Sequence, residues 1–192
     1  MDAIILAGGL GTRLRKVLPD IPKPLAPVNG RPFLDALLEY LDCSENIGKV
    51  VLATGHLAEA IMDRYADAQY HFPIVFSREE SLLGTGGAIK YALPLTSGDD
   101  VIVINGDTYA DVDIRALLKF HREKNGAATI AVARACLKTL PYLRGVCSAC
   151  EALVSTSMCC KHISVSDSAS RRRTPAARFG NPGFETSSSG KM

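Results

Sequence analysis

Five short apolar segments, each separated from the next by an amphipathic stretch, set what most of this chain can fold into. They are residues 2–7 (DAIILA), 49–54 (KVVLAT), 73–77 (PIVFS), 100–105 (DVIVIN) and 127–133 (AATIAVA). Runs of this length with no polar alternation read as strands buried on both faces. Between them the period changes to 3.6. Phe33, Leu34, Leu37, Leu38 and Leu41 share one helical face over residues 33–41. Leu57, Ile61 and Tyr65 do so over 57–65, and residues 85–93 open from a glycine-rich turn. Asp113 is placed to cap a helix carrying Ile114, Leu117, Leu118 and His121, closed by Asn125 and Gly126. Strands alternating with helices predict an α/β fold, a doubly wound and mostly parallel sheet with helices on both faces. Such sheets bind ligands beyond the carboxyl ends of their strands. The residues just after each strand therefore carry the functional argument.

Composition divides the 192 residues at one point. Residues 1–134 hold 14 Lys and Arg against 17 Asp and Glu. Residues 135–192 hold 8 against 3, together with five of the six cysteines and ten serines. The overall charge of +2 describes neither part, and it gives no reason to expect a nucleic-acid partner. No apolar run approaches the roughly 18 to 20 residues of a membrane helix. The start Met1-Asp2-Ala3-Ile4 has no basic segment before an apolar one, so the expectation is a cytoplasmic protein without membrane partners. The division predicts a nucleotide-binding α/β domain over 1–134 and an atypical tail over 135–192.

Four stretches follow the strands. Leu6-Ala7-Gly8-Gly9-Leu10-Gly11-Thr12-Arg13-Leu14 comes directly after the first. Its glycines permit positive φ and close approach of a ligand to the backbone. Successive amides in such a turn make an anion-binding nest, to which Arg13 adds a charge-assisted contact. The run lacks the Gly-Lys-Ser/Thr of a Walker loop and the third glycine of a dinucleotide fingerprint. Lys23 stands between Pro22 and Pro24, which limit where its ammonium can point. Residues 79–88, EESLLGTGGA, open a helix with a backbone against which a base or ribose can lie. Asn105-Gly106-Asp107 ends the most apolar strand and offers a carboxylate suited to Mg²⁺. Each stretch taken alone also reads as an ordinary turn, surface lysine or cap. Together they describe a nucleoside triphosphate site, where positioning and charge stabilisation matter more than covalent help. His56, His71 and His121 have no fixed partner in the sequence.

These motifs, with Lys23-Pro24, Leu83-Gly84-Thr85-Gly86-Gly87 and Gly106-Asp107, resemble the sugar-nucleotidyltransferase family over about residues 2–134. The nearest branch is the D-glycero-D-manno-heptose 1-phosphate guanylyltransferases. The resemblance implies a Rossmann-like nucleotidyltransferase fold. It also implies transfer of a nucleotidyl group, from GTP, to a sugar 1-phosphate with release of pyrophosphate, for nucleotide-sugar and surface polysaccharide synthesis (lipopolysaccharide or capsule). Carried over, it makes Leu6, Ala7, Gly8, Gly9, Gly11 and Thr12 nucleotide-binding and gives Arg13 and Lys23 catalytic contacts to the phosphates. It gives Asp107 the Mg²⁺ and sets Glu80, Gly84 and Thr85 near base and ribose. Mannose or glucose 1-phosphate enzymes, and a non-catalytic nucleotide-binding module, are the alternatives.

The family has further strands, a sugar-binding segment, a lysine for the sugar phosphate and a second metal-binding aspartate after this point. None can be placed in residues 135–192, whose carboxylates are Glu151, Asp167 and Glu185. Three readings compete there. Cys147, Cys150, Cys159, Cys160 and His162 offer a zinc site. Arg171-Arg172-Arg173 offers a basic, disordered tail. A shifted reading frame accounts for the abrupt change in charge, cysteine use and periodicity. The expected fold is thus incomplete at its C-terminal end, and the expected activity is impaired.

Overall fold

The computed structural model describes residues 1–12, 14, 17–44 and 46–135, and three strand segments beyond them. Its main sheet is built from β1 (Asp2–Leu6), β4 (Lys49–Thr54), β5 (Ile74–Arg78), β6 (Asp100–Asn105), β7 (Ala128–Ala135), β8 (Ala152–Lys161), β9 (Ala177–Arg178) and β10 (Phe184–Ser189). Two short strands, β2 (Pro27–Val28) and β3 (Arg31–Pro32), pair through an Asn29-Gly30 turn in which both residues have positive φ. The helices are α1 (Phe33–Asp42), α2 (Ala58–Tyr65), α3 (Gly84–Ala92) and α4 (Ile114–Lys124). Every strand and helix expected before residue 135 is present, within two residues of its expected bounds.

The strand order is β5-β4-β1-β6-β8-β7-β10-β9. The first four are parallel neighbours. The order runs outward from β1 in one direction to β4 and β5, and in the other to β6. The topological switch point of the sheet therefore lies between β1 and β6, where such folds hold their ligands.

Alternation along the strands assigns each face its helices. Ala3 and Ile5 of β1, Val50 and Leu52 of β4, and Ile102 and Ile104 of β6 pack with α1 (Leu34, Leu37, Leu38, Leu41), α2 (Ile61, Tyr65) and α4 (Ile114, Leu117). Ile4, Val51, Ala53, Val101 and Val103 face the other way, onto Ala88, Ile89 and Ala92 of α3 and Leu93. The central strand residues are wholly buried, as period-2 packing between two helical layers requires. α4 begins where expected: the Asp113 carboxylate accepts the Ala116 N–H at 3.0 Å. It ends with Asn125 in the left-handed region at φ 47°. α2 begins one residue later than expected, because Leu57 takes a left-handed conformation at φ 56° before it.

The sequence predicts no regular element beyond Arg134, yet the sheet takes in three strands there. β8 lies between β6 and β7, antiparallel to both, from Ala128↔Cys160 to Ala135↔Ala152 on one side and Asp100↔Lys161 to Ile104↔Ser157 on the other. β10 adds antiparallel to β7. The segment ALVSTSMCCK has no clean alternation, but backbone pairing on both edges supplies what periodicity does not. Among the described residues no helix is long and apolar enough to cross a membrane.

Candidate functional site

A cleft of about 280 Å³ opens at the switch point. Its floor is the ends of β1 and β6: Leu6, Ala7, Gly8 and Gly9 on one side, Asn105, Gly106 and Asp107 on the other. Lys23 and Pro24 form one wall, and Glu79, Leu82, Gly84, Thr85 and Ala88 the opposite one. The four stretches singled out in the sequence thus meet around one opening, although up to about a hundred residues separate them.

Close backbone approach explains two of the glycines. A Cβ at Gly106 would come within 2.7 Å of Leu6 O, because the Gly106 N–H donates to that same oxygen at 2.9 Å. A Cβ at Gly8 would sit 3.2 Å from Gly55 N and 3.3 Å from Glu79 Oε1. β1, β4 and β6 can therefore end side by side only with these residues reduced to backbone. Gly11 has φ +57° and Gly84 φ +69°, which turn the chain at either side of the cleft. Gly9 has open space around it.

Lys23 lies in a short 3₁₀ turn, Lys23–Leu25, stiffened by Pro22 and Pro24. The Leu25 N–H donates to Pro22 O at 2.8 Å and the Ala26 N–H to Lys23 O at 3.1 Å. From this turn the Lys23 ammonium reaches across 84 residues of sequence and donates to Asp107 Oδ2. Thr108 Oγ1 donates to Asp107 Oδ1 at 3.0 Å. Partial burial pushes the Asp107 carboxyl up, but the hydrogen bonds from Lys23 and Thr108 and the lysine charge outweigh it and hold it below the usual carboxylate range. The group is an anion at neutral pH and stands where a cation is already accepted.

That donor set fits a magnesium ion shared with a phosphate. No group of three or more His, Cys, Asp or Glu gathers among the described residues to form an all-protein cage. Magnesium commonly takes one or two carboxylates and completes its octahedron with phosphate oxygens and water.

Several expected positions are not in the cleft lining. Arg13 lies outside the described residues. Gly11 and Thr12 are in the loop above the floor, with Gly11 3.4 Å from Lys23 Cβ when a Cβ is built on it. Glu80 is exposed and is not part of the lining; its neighbour Glu79 is. Glu79 Oε2 accepts the Leu83 N–H at 3.1 Å, which fixes the carboxylate at the start of α3. Adjacent glutamates after a strand look alike in sequence, and the bond from the Leu83 N–H is what singles out Glu79. Ala53, near the end of β4, also lines the cleft although it lies in none of the four stretches singled out in the sequence. Two of the three histidines do have partners, while His56 Nε2 is buried without a hydrogen bond among the described residues. His71 meets Asp42 at 2.9 Å, and buried His121 meets Thr129 Oγ1 of the following strand at 2.9 Å; neither pair lines the cleft. Of the zinc candidates, Cys147, Cys150 and His162 lie outside the described residues, while Cys159 and Cys160 occupy adjacent register positions of β8 opposite Ile102 and Val101. Asp167 and the arginines 171–173 also lie outside.

The family model for nucleotidyl transferases matches residues 2–138. The chain belongs to the nucleotidyl transferase family. Among curated relatives, the D-glycero-alpha-D-manno-heptose 1-phosphate guanylyltransferase of Aneurinibacillus thermoaerophilus is 42% identical over 132 residues, which is 69% of this chain and 57% of that protein. The protein of the same name from Campylobacter jejuni is 45% identical over 117 residues, 61% of this chain and 52% of that one. The chain spans about half the length of these relatives. Among solved structures, HddC from Yersinia pseudotuberculosis complexed with GMP-PN superposes with a TM-score of 0.64 at 29% identity, covering 84% of this chain and 76% of that one. For this member of the nucleotidyl transferase family, the match ends at residue 138, four residues past the break in composition.

Proposed function

We propose that this chain binds a nucleoside triphosphate, GTP, in the cleft between β1 and β6, as the nucleotide half of a sugar 1-phosphate guanylyltransferase. The observation that carries the reading is the convergence of Lys23, Asp107, Glu79 and the bare backbone of Gly8, Gly9 and Gly106 on one opening. In the reaction, a phosphate oxygen of the sugar 1-phosphate attacks the α-phosphorus and forms the new P–O bond. The bond from that phosphorus to the β-phosphate bridging oxygen breaks, and pyrophosphate leaves with the electron pair. The nucleophile is already an anion, so no residue has to remove a proton from it.

Each named group has one task. Backbone amides of residues 6–9 and 11, with Thr12, line the phosphate path, and Arg13 with Lys23 neutralises charge that builds on the phosphates. Gly84 and Thr85 border the ribose. The Glu79 carboxylate suits guanine, whose edge presents two adjacent N–H donors to a pair of acceptor oxygens. Asp107 would hold Mg²⁺, which when bound screens the phosphate oxygens. The sugar is D-glycero-D-manno-heptose 1-phosphate, for surface polysaccharide synthesis in the cytoplasm. The two guanylyltransferase relatives support both base and sugar.

Residues 135–192 carry none of the sugar-side motifs, and the family match stops at residue 138, four residues into them. The chain is therefore proposed to bind GTP but to transfer it poorly. The test is GTP titration beside pyrophosphate release with GTP, CTP, UTP and dTTP and a panel of sugar 1-phosphates. Selective GTP binding with turnover far below about 1 per second, the low end for ordinary enzymes, is expected. Ordinary turnover would refute the impairment; absence of nucleotide binding would refute the site. Translating the coding DNA in its other two frames separates a shifted frame, which restores family-like sequence after residue 134, from a binding module, which does not.

A further inference from the structure

The loop that joins β6 to α4 carries Asp107 and is fixed at both ends by its own neighbours. Gly106 N–H donates to Leu6 O at 2.9 Å, and Asp113 accepts from Ala116 N–H. Its middle is held from elsewhere. Tyr40, in the third turn of α1, donates its hydroxyl to Val112 O across 72 residues of sequence. The same ring meets the Tyr109 ring edge-on, with centroids 5.7 Å apart at 68°. Tyr109 itself is half exposed, so its contact with Tyr40 is what gives it a fixed neighbour. Val112 packs against the core next to α1, α2 and α4. α1 is anchored at its other end too. Phe33 N–H donates to Ala26 O at 3.0 Å, immediately after the turn that carries Lys23. One helix thus fastens both the lysine wall of the cleft and the loop that carries Asp107 on from its floor.

A phenylalanine would fill the space of Tyr40 equally well, so packing alone does not call for the hydroxyl. Its oxygen serves one described contact, the Val112 carbonyl, which lies five residues from Asp107 and on the same loop. We propose that Tyr40, which does not line the cleft, is a positioning residue: through Val112 and Tyr109 it holds loop 106–113 so that the Asp107 carboxylate stays turned into the cleft for a metal–nucleotide complex. The proposal rests on the reading of Asp107 as the metal-holding carboxylate.

The full chain and its Tyr40→Phe, Tyr109→Leu and Asp107→Asn variants decide it with two readouts. Amide hydrogen exchange at Thr108 and Val112, whose N–H groups are bonded within the loop, reports on the clamp. Water-proton relaxation enhancement by Mn²⁺ with GTP reports on the metal. In Tyr40→Phe, exchange at these two amides should accelerate while the strands β1 and β4 keep their protection. Mn²⁺ binding in the presence of GTP should weaken by about tenfold, the low end for losing a partner one layer behind a ligand. Tyr109→Leu keeps the hydroxyl bond and should move both readouts in the same direction by less. It also stands in if Tyr40→Phe does not fold. Unchanged exchange in the folded variant overturns the clamp. If Asp107→Asn abolishes Mn²⁺ binding while Tyr40→Phe leaves it unchanged, the positioning role fails and the metal reading stands. Mn²⁺ binding unaffected in Asp107→Asn overturns the metal reading, and with it the role assigned to Tyr40.

Discussion

At Gly106 the structure leaves no room for a side chain: the Cβ of an alanine would press on Leu6 O at 2.7 Å, a backbone atom that cannot swing aside. Gly106→Ala is therefore expected to lose about 2 kcal/mol, as overpacking typically does, measured by urea unfolding. Gly9→Ala, with open space around it, should change stability by less than about 1 kcal/mol. Lys23 and Asp107 give a second residue-level expectation. The lysine is the main influence holding the carboxyl down against partial burial. In Lys23→Gln the Asp107 carboxyl should titrate at higher pH than in the parent chain, followed by ¹³C NMR of the side-chain carboxyl; an unchanged midpoint would contradict the pairing. Both residues were legible in the sequence, Lys23 from its flanking prolines and Asp107 from its place after the most apolar strand. That they touch was not, since nothing in a linear pattern brings together positions 84 residues apart. Glu79 shows the same limit at shorter range. Which of two adjacent glutamates lines the cleft depends on the turn between β5 and α3, where the Leu83 N–H holds the Glu79 carboxylate.

The helices show how far local chemistry reaches. α4 was legible at both ends because its signals are local. The Asp113 side chain takes an amide that helix geometry leaves unpaired, and Asn125 tolerates the left-handed turn that stops it. Asp113→Ala should cost about 1 kcal/mol, the usual worth of such a cap, and urea unfolding monitored by circular dichroism checks it. α2 was legible in its apolar face but not in its start, because Leu57 adopts φ 56° against its own preference. Such a conformation persists where surrounding packing dictates it. Here Ala58, the next residue, is fully buried. The five main-sheet strands before residue 135 were legible because burial writes a continuous apolar run, whereas the mostly exposed pair β2 and β3 leaves no such mark. β8 was not, because its pairing partners lie at its two edges and edge pairing leaves no periodic mark in a mixed Ser, Thr and Cys segment.

For the molecule as a whole, the packing of α1 and α2 against the sheet sets an alkaline limit. Burial pushes the Tyr40 hydroxyl up to about 12, and burial with the adjacent Asp35 carboxylate pushes Tyr65 upward as well. In both, the folded state favours the neutral phenol. Their contribution is fully present below the ordinary tyrosine pKa of about 10 and is lost as pH rises from there toward 12. Urea midpoints measured between pH 8 and 11.5 should fall through the upper part of that range, and Tyr40→Phe should flatten the fall. A midpoint flat to pH 11.5 in the parent chain would remove both tyrosines from the account. The order of the sheet has a consequence for the growing chain. β6 is finished at Asn105, but its second neighbour is β8, which is complete only at Lys161. At the usual ~5–20 residues per second of synthesis, the strand that leads into Asp107 must wait several seconds on the ribosome with one edge uncovered. In that interval a segment from another nascent chain can take the place meant for residues 152–161.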